Sequence, residues 1–182
     1  SYELRRKGRK VLVLDRREPL HGSTAASTSL LLFEIDTPLF ELSRKIGKDK
    51  AKRAWRRSVK AVDELDELVR RERIRCGWRK AKTLYLAGDA YGSRALRTEV
   101  EQREAADVPG EFVGAVDLEE RYGIARTGAI LSSGNAQANP VQLAAGLLRR
   151  AMRSGVDVCS PIAIKAIAAD RRGVVLTTDD DV

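Results

Sequence analysis

An α/β fold built around a parallel sheet is what this chain predicts, and three features carry that expectation. The run "VLVL" at positions 11–14 is continuous rather than alternating, the pattern of a strand covered on both faces. Apolar strand segments and helical periods then alternate along the chain, as they do where helices connect the strands of a parallel sheet. A well-punctuated helix from Asn139 to Gly155 runs straight into a further apolar strand, "VDVCS".

Each element has its own local reason. Residues Tyr2 to Lys7 read as the end of a helix: Arg5, Arg6 and Lys7 suit the negative end of the dipole, and Gly8 is the expected residue just beyond it. Lys10 to Asp15 reads as a strand closed by its acid. The stretch from there to Pro38 has turn chemistry at Pro19 and Gly22 and many small hydroxyl residues. From about Lys48 to Arg73 the spacing of Ala51, Trp55, Val59, Val62, Leu65 and Val69 predicts one long amphipathic helix with that stripe in the core. "KTLYLAG", Lys82 to Gly88, is a strand. Ser93 to Ala106 is a helix with Ser93 as its N-cap. "DLEERYG" is a short helix ended by Gly123, and "GAILSS" is another strand.

Asn139 then serves as N-cap, Pro140 fits the first helical position and Gly155 lies just past the end. "IAIKAIAADRRGVVLTTDD" reads as two strands joined by a polar turn around Asp170 to Gly173.

Composition narrows the classes of function. With 182 residues, 43% hydrophobic and 33% charged, the chain is expected to be soluble and globular. No apolar run approaches the ~20 residues that cross a bilayer, and the first ten residues lack the apolar core of a signal peptide. A cytoplasmic setting is the expectation, with Cys76 and Cys159 as ordinary thiols in a reducing compartment. The single histidine, His21, makes no familiar metal spacing with them; it reads as a partly exposed turn residue, and no metal site is expected. The net charge of +8 would suit a nucleic-acid partner. The basic residues, however, are interleaved with acids, as in "DELDELVRRERIR", so the leading expectation is no nucleic acid. A non-catalytic basic α/β module for nucleic acid or another anionic partner stays open as the alternative.

Two features point to a nucleotide. An acid at the tip of the second strand of a dinucleotide-binding unit accepts hydrogen bonds from the ribose hydroxyls, and Asp15 sits at such a strand end. "GSTAAST", Gly22 to Thr28, supplies small residues that let backbone approach a ligand, with hydroxyls and N–H groups able to hold phosphate oxygens.

In this order, several blocks resemble the FAD-dependent oxidoreductases of the D-amino-acid oxidase class, glycine oxidase-like enzymes included. "ELRRKGRKVLVLDRRE" is similar to the end of that family's first helix and its second strand. "GSTAASTSLL" is similar to the loop running under the flavin, and "CGWRKAKTLYLAGD" to a strand of the substrate domain. "GAILSSGNAQANPVQLAAGLLRRAMRSGVDV" is similar to the return to the FAD domain, and "SPIAIKAI" to the stretch that contacts adenine through its backbone. The resemblance implies a partial FAD-binding, Rossmann-like domain of the glutathione-reductase type plus part of an inserted α+β substrate domain. It divides the chain into residues 1–45 (FAD-binding, without the first strand and its G-x-G-x-x-G), 46–134 (substrate or cap domain) and 135–182 (return to the FAD domain).

Residue by residue, the resemblance implies that Asp15 would hold the ribose and Arg16 would lie beside the adenosine. Ser23, Thr24, Ser27 and Thr28 would line the pyrophosphate and flavin path, and Ile162 would offer backbone groups to adenine. The implied activity is oxidation of an amine, an amino acid or a related hydroxy compound by hydride transfer to FAD. Neither a catalytic base nor an electron acceptor is assigned. The family's glycine turn and its C-terminal half are not in the sequence, so the chain reads as an internal fragment that by itself would bind FAD poorly.

Overall fold

The computed structural model describes residues 1–178. The chain forms two compact units. One takes Ser1–Thr28, Glu72–Cys76 and the chain from Asn139 onward; the other takes Ser29–Arg71 and Gly77–Ala138.

In the first unit, helix α1 (Tyr2–Arg6) ends as its sequence requires. Gly8 adopts φ +75°, its N–H donates to the Arg5 carbonyl at 2.9 Å, and the Arg9 N–H reaches back to the Leu4 carbonyl at 3.1 Å. Strand β1 (Leu12–Leu14) pairs in parallel with β6 (Asp157–Cys159), Leu12 opposite Asp157 and Leu14 opposite Cys159. This is the expected parallel arrangement, but β1 is shorter than Lys10 to Asp15 and is not buried on both faces. Among the described residues β6 is its one strand neighbour, and Leu12 stays 56% exposed.

Within this unit, helix α6 (Pro140–Arg153) leads into β6. Asn139 accepts from the Gln142 N–H at 2.9 Å, Pro140 occupies the first turn, and Gly155 takes φ +90° beyond the end. The Arg5 guanidinium donates to the Ser154 carbonyl, so a cation from α1 satisfies an orphan oxygen at the end of α6. Strands β7 (Ile164–Ala169) and β8 (Val174–Thr178) form an antiparallel hairpin. Its turn is fixed by Asp170, whose Oδ1 accepts from the N–H groups of Arg172 and Gly173. The last two residues expected in this strand, Asp179 and Asp180, lie outside the described residues.

The second unit is an antiparallel sheet with helices. The long strand β5 (Gly128–Gln137) pairs with β2 (Leu30–Leu31), β3 (Arg79–Leu86) and β4 (Glu111–Gly114). Strand β5 runs on past "GAILSS" to Gln137, and β3 starts three residues before Lys82 but ends at Leu86, short of Gly88; the two strands stabilise each other along almost their whole length despite a register shift between Ala81 and Thr83. Helix α3 (Lys48–Arg71) is the expected long helix, with Ala51, Trp55 and Val69 buried. Helix α2 (Leu39–Ile46) precedes it, and α5 (Ala115–Tyr122) ends at Gly123 in the left-handed region, φ +66°. Helix α4 (Ser93–Glu104) departs from expectation at its start: Gly92 is the N-cap residue and no side chain caps the helix, so Ser93 is its first helical residue.

The main core of this unit joins Phe33, Leu39, Ala51, Trp55, Ala106 and Val108, with Phe33 edge-on to Trp55 at 6.3 Å between centroids. Below it lies a charged pair. Glu99 and Arg103, one turn apart on α4, are 1% and 4% exposed. The Arg103 Nε donates to Glu99 at 2.8 Å, its Nη1 donates to the Ser132 Oγ at 3.1 Å, and its guanidinium lies over the Trp55 ring at 4.5 Å. Glu99 also accepts from the Leu39 and Phe40 N–H groups at 2.9 and 3.0 Å. A carboxylate from α4 thus caps α2, sixty residues earlier in the chain.

Candidate functional site

In the first unit the end of β1 forms a small polar constellation. The parallel ladder continues one residue past the strand: the Asp15 N–H donates to the Cys159 carbonyl at 3.1 Å. After the cis Ser160–Pro161 peptide, the Ile162 N–H donates to the Asp15 carbonyl at 2.7 Å. Two residues 147 positions apart, singled out separately in the sequence, are therefore adjacent. The Asp15 side chain is half-buried. Its Oδ1 accepts from the Arg17 N–H at 3.0 Å, which fixes the carboxylate in a turn of its own, and its other oxygen has no partner among the described residues.

Arg16 is exposed beside this turn. The chain then loops through Pro19; the His21 N–H donates to the Glu18 carbonyl, and His21 itself is exposed. Gly22 passes close to Arg17: a Cβ there would sit 3.1 Å from its guanidinium. Ser23–Ala26 forms a single 3-10 turn that brings Ser23 and Thr24 to its start; Ser27 follows in extended conformation, and Thr28 comes next. Ser23, Ser27 and Thr28 are exposed and Thr24 is half-buried.

These residues fit the adenosine and phosphate parts of FAD in kind. A carboxylate oxygen without a partner can accept from a ribose hydroxyl, and hydroxyls on a small-residue turn can face phosphate oxygens. For Ile162 the fit is narrower. Its N–H is already spent on Asp15, which leaves its carbonyl to serve a ligand donor.

The second unit holds a cleft of about 260 Å³, mostly apolar, lined by Glu34, Asp36, Phe40, Tyr85 and Tyr91 above the Glu99–Arg103 pair. Phe40 and Tyr91 meet edge to face at 5.8 Å. The Tyr91 hydroxyl is held above its ordinary value of 10.0, first by desolvation and then by its hydrogen bond to the Glu41 carboxylate. Glu34 is the residue of note. Its Oε1 accepts from the Thr83 hydroxyl at 3.1 Å and from the Asn135 amide at 3.2 Å. Asn135 in turn accepts from the Phe33 N–H and donates to Thr83. The other Glu34 oxygen is buried and has no partner among the described residues. A buried carboxylate oxygen without a protein partner is uncommon and can accept a hydrogen bond from a donor that reaches it.

Sequence reasoning did not find Glu34, since one acid in "LLFEIDTP" gives no sign of the amide and hydroxyl that reach it from β3 and β5. Both free thiols fall in the first unit, Cys76 buried and Cys159 half-buried. Among the described residues, no group of three or more His, Cys, Asp or Glu side chains could hold a metal ion. No described helix is long and apolar enough to cross a membrane.

One family model matches the whole chain, and the solved structures share its fold. The sequence profile described as FAD dependent oxidoreductase matches residues 1–182. Among curated sequences, a probable oxidoreductase, OrdL, of Haemophilus influenzae is 22% identical over 160 residues, covering 87% of this chain and 37% of that protein. Among solved structures, glycine oxidase from Geobacillus kaustophilus superposes with a TM-score of 0.68 at 21% identity, covering 98% of this chain and 47% of that one. The L-alpha-glycerophosphate oxidase from Mycoplasma pneumoniae, solved with FAD bound, gives 0.72 at 16% identity, covering 99% and 46%. The chain thus spans about a third of the curated relative and about half of each solved one.

Proposed function

This chain belongs to the FAD-dependent oxidoreductase family, and from that premise we propose that it is part of an enzyme that oxidises the C–N bond of a small amine or amino acid. FAD is the cofactor of the family, and when bound it supplies the acceptor for a hydride from the substrate carbon. The substrate would lose that hydride to the flavin and a proton from nitrogen to solvent, and would leave as an imine. In this reading the first unit is the FAD-binding part and the second belongs to the substrate part.

The chain's own residues bind and orient. Asp15 uses its unpartnered oxygen to accept from a ribose hydroxyl, with the Arg17 N–H holding the carboxylate in place. Arg16 lies beside the adenosine. Ser23, Thr24, Ser27 and Thr28 line the pyrophosphate and flavin path, and the Ile162 carbonyl accepts from the adenine edge. The observation that carries the reading is the direct bond between Ile162 and Asp15, because it joins the two segments expected to grip the same adenosine. For an amine rather than a hydroxy acid, support comes from the unpartnered oxygen of Glu34, whose negative or acceptor character suits an ammonium donor.

The test is an anaerobic substrate panel on the full-length, FAD-loaded protein, read as loss of oxidised-flavin absorbance. Small amines and amino acids should bleach the flavin. Bleaching by 2-hydroxy acids or glycerol 3-phosphate, with none by any amine, would reject the C–N assignment.

A further inference from the structure

Among the described residues, a cluster of arginines lines a pocket that includes neither Asp15 nor Ile162. In the first unit a pocket of about 210 Å³ is lined by Arg73, Arg75, Arg149, Arg150 and Arg153 around one acid, Glu72. Arg150 donates to the Glu72 backbone carbonyl through Nε and Nη2, at 3.1 and 2.6 Å. Its Nε lies 3.9 Å from the Glu72 carboxylate. Arg73, Arg75, Arg149 and Arg153 have no carboxylate within ion-pair distance among the described residues.

The pocket is built rather than incidental. Gly146 on α6 receives Ile74: a Cβ at this glycine would lie 2.3 Å from the Ile74 Cγ2. That close approach seats the segment Glu72–Cys76 on α6, and the Asn139 N–H secures its far end by donating to the Cys76 carbonyl at 2.7 Å. Arg73, on one side of the seated isoleucine, adopts φ +52°, a conformation uncommon for a residue with a Cβ. The helix dipole accounts for arginines at the end of α6, since cations favour a C-terminus. It does not account for Arg73 and Arg75, which a different segment brings in. Exposed guanidinium groups around one small space raise the local positive potential and so favour an anion among them.

We propose that this pocket binds a phosphate group, free or as the end of a small phosphate ester, at a site separate from that of FAD. Several guanidinium forks suit a tetrahedral oxyanion with hydrogen-bonding oxygens on every side, and the pocket's size matches a small group rather than a whole nucleotide.

The test is calorimetric titration of the full-length, FAD-loaded protein with inorganic phosphate, which keeps the flavin site filled. Saturable binding is expected, with sulfate competing. Because each charge-assisted contact carries about a factor of ten in affinity, the exposed pair Arg149→Ala and Arg153→Ala should weaken binding roughly a hundredfold. Arg149→Lys with Arg153→Lys keeps the charge but loses the fork, and should fall between the two while preserving the melting temperature. No saturable binding, or equal binding by the alanine pair, would overturn the proposal. So would competition between phosphate and FAD, which would merge the sites, or binding only to vesicles of anionic phospholipid and not to free phosphate.

Discussion

Replacing Glu99 with Gln should unfold the second unit at a markedly lower temperature. The carboxylate is 1% exposed and accepts three bonds, from the Leu39 N–H, the Phe40 N–H and the Arg103 Nε. Glutamine keeps the shape and one acceptor oxygen but removes the charge and turns a donor toward N–H groups. Arg103, 4% exposed, is then a buried cation left with Ser132 and the Trp55 face. Breaking a buried pair from one side costs about 3–5 kcal/mol. At about 2–4 °C per kcal/mol for a unit of 150–250 residues, that corresponds to a fall in Tm of roughly 6–20 °C. Thermal unfolding of the full-length protein by circular dichroism measures it, and tryptophan fluorescence reports Trp55 beneath the guanidinium. The double variant Glu99→Gln with Arg103→Met removes both charges and should recover much of the loss. A single variant melting within about 2 °C of the wild type would refute the reasoning, since no stranded charge costs so little.

Further outcomes follow from other sites. Asp15→Asn keeps the oxygen that holds the Arg17 N–H but withdraws the negative acceptor, so FAD affinity measured by titrating apoprotein should fall about tenfold. Gly146→Ala drives a methyl to 2.3 Å from Ile74 and should cost about 1–3 kcal/mol in denaturant unfolding. Adding Ile74→Ala to that variant should leave it more stable than an additive loss predicts. Tyr91 should ionise above 10.0 by tyrosinate absorbance, and Glu41→Gln should bring it only part of the way back, because desolvation is the larger cause. Since the fold favours the neutral phenol, its contribution to stability is complete below 10.0 and is lost as pH rises through the higher folded value.

What could be read from sequence was local. Asn139, Pro140 and Gly155 mark α6 because each acts within a turn of where it sits, and Gly123 and the Asp170 turn are legible for the same reason. Helix α2 was not legible because its N-terminus carries no capping side chain of its own; Glu99 does that work from a distant segment. Glu99 and Arg103 within "EVEQRE" look like an ordinary solvent-facing i, i+4 pair, and only the packing of α4 buries them. Strand β4, four residues of "EFVG", is too short to show a period and exists because β5 offers it an edge. At the candidate site, Asp15 was legible as an acid closing a strand. Its bond to Ile162 depends on the parallel pairing of β1 with β6, which chain order alone does not disclose.

The central claim is that this chain carries part of an FAD site organised around Asp15 and Ile162. Equilibrium titration of the full-length apoprotein with FAD tests it most directly, comparing wild type with Asp15→Asn and with an exposed control, Arg57→Ala. The account predicts one FAD per chain, weaker binding for Asp15→Asn alone, and an unchanged melting temperature for that variant without cofactor. Equal FAD affinity in all three proteins would contradict it.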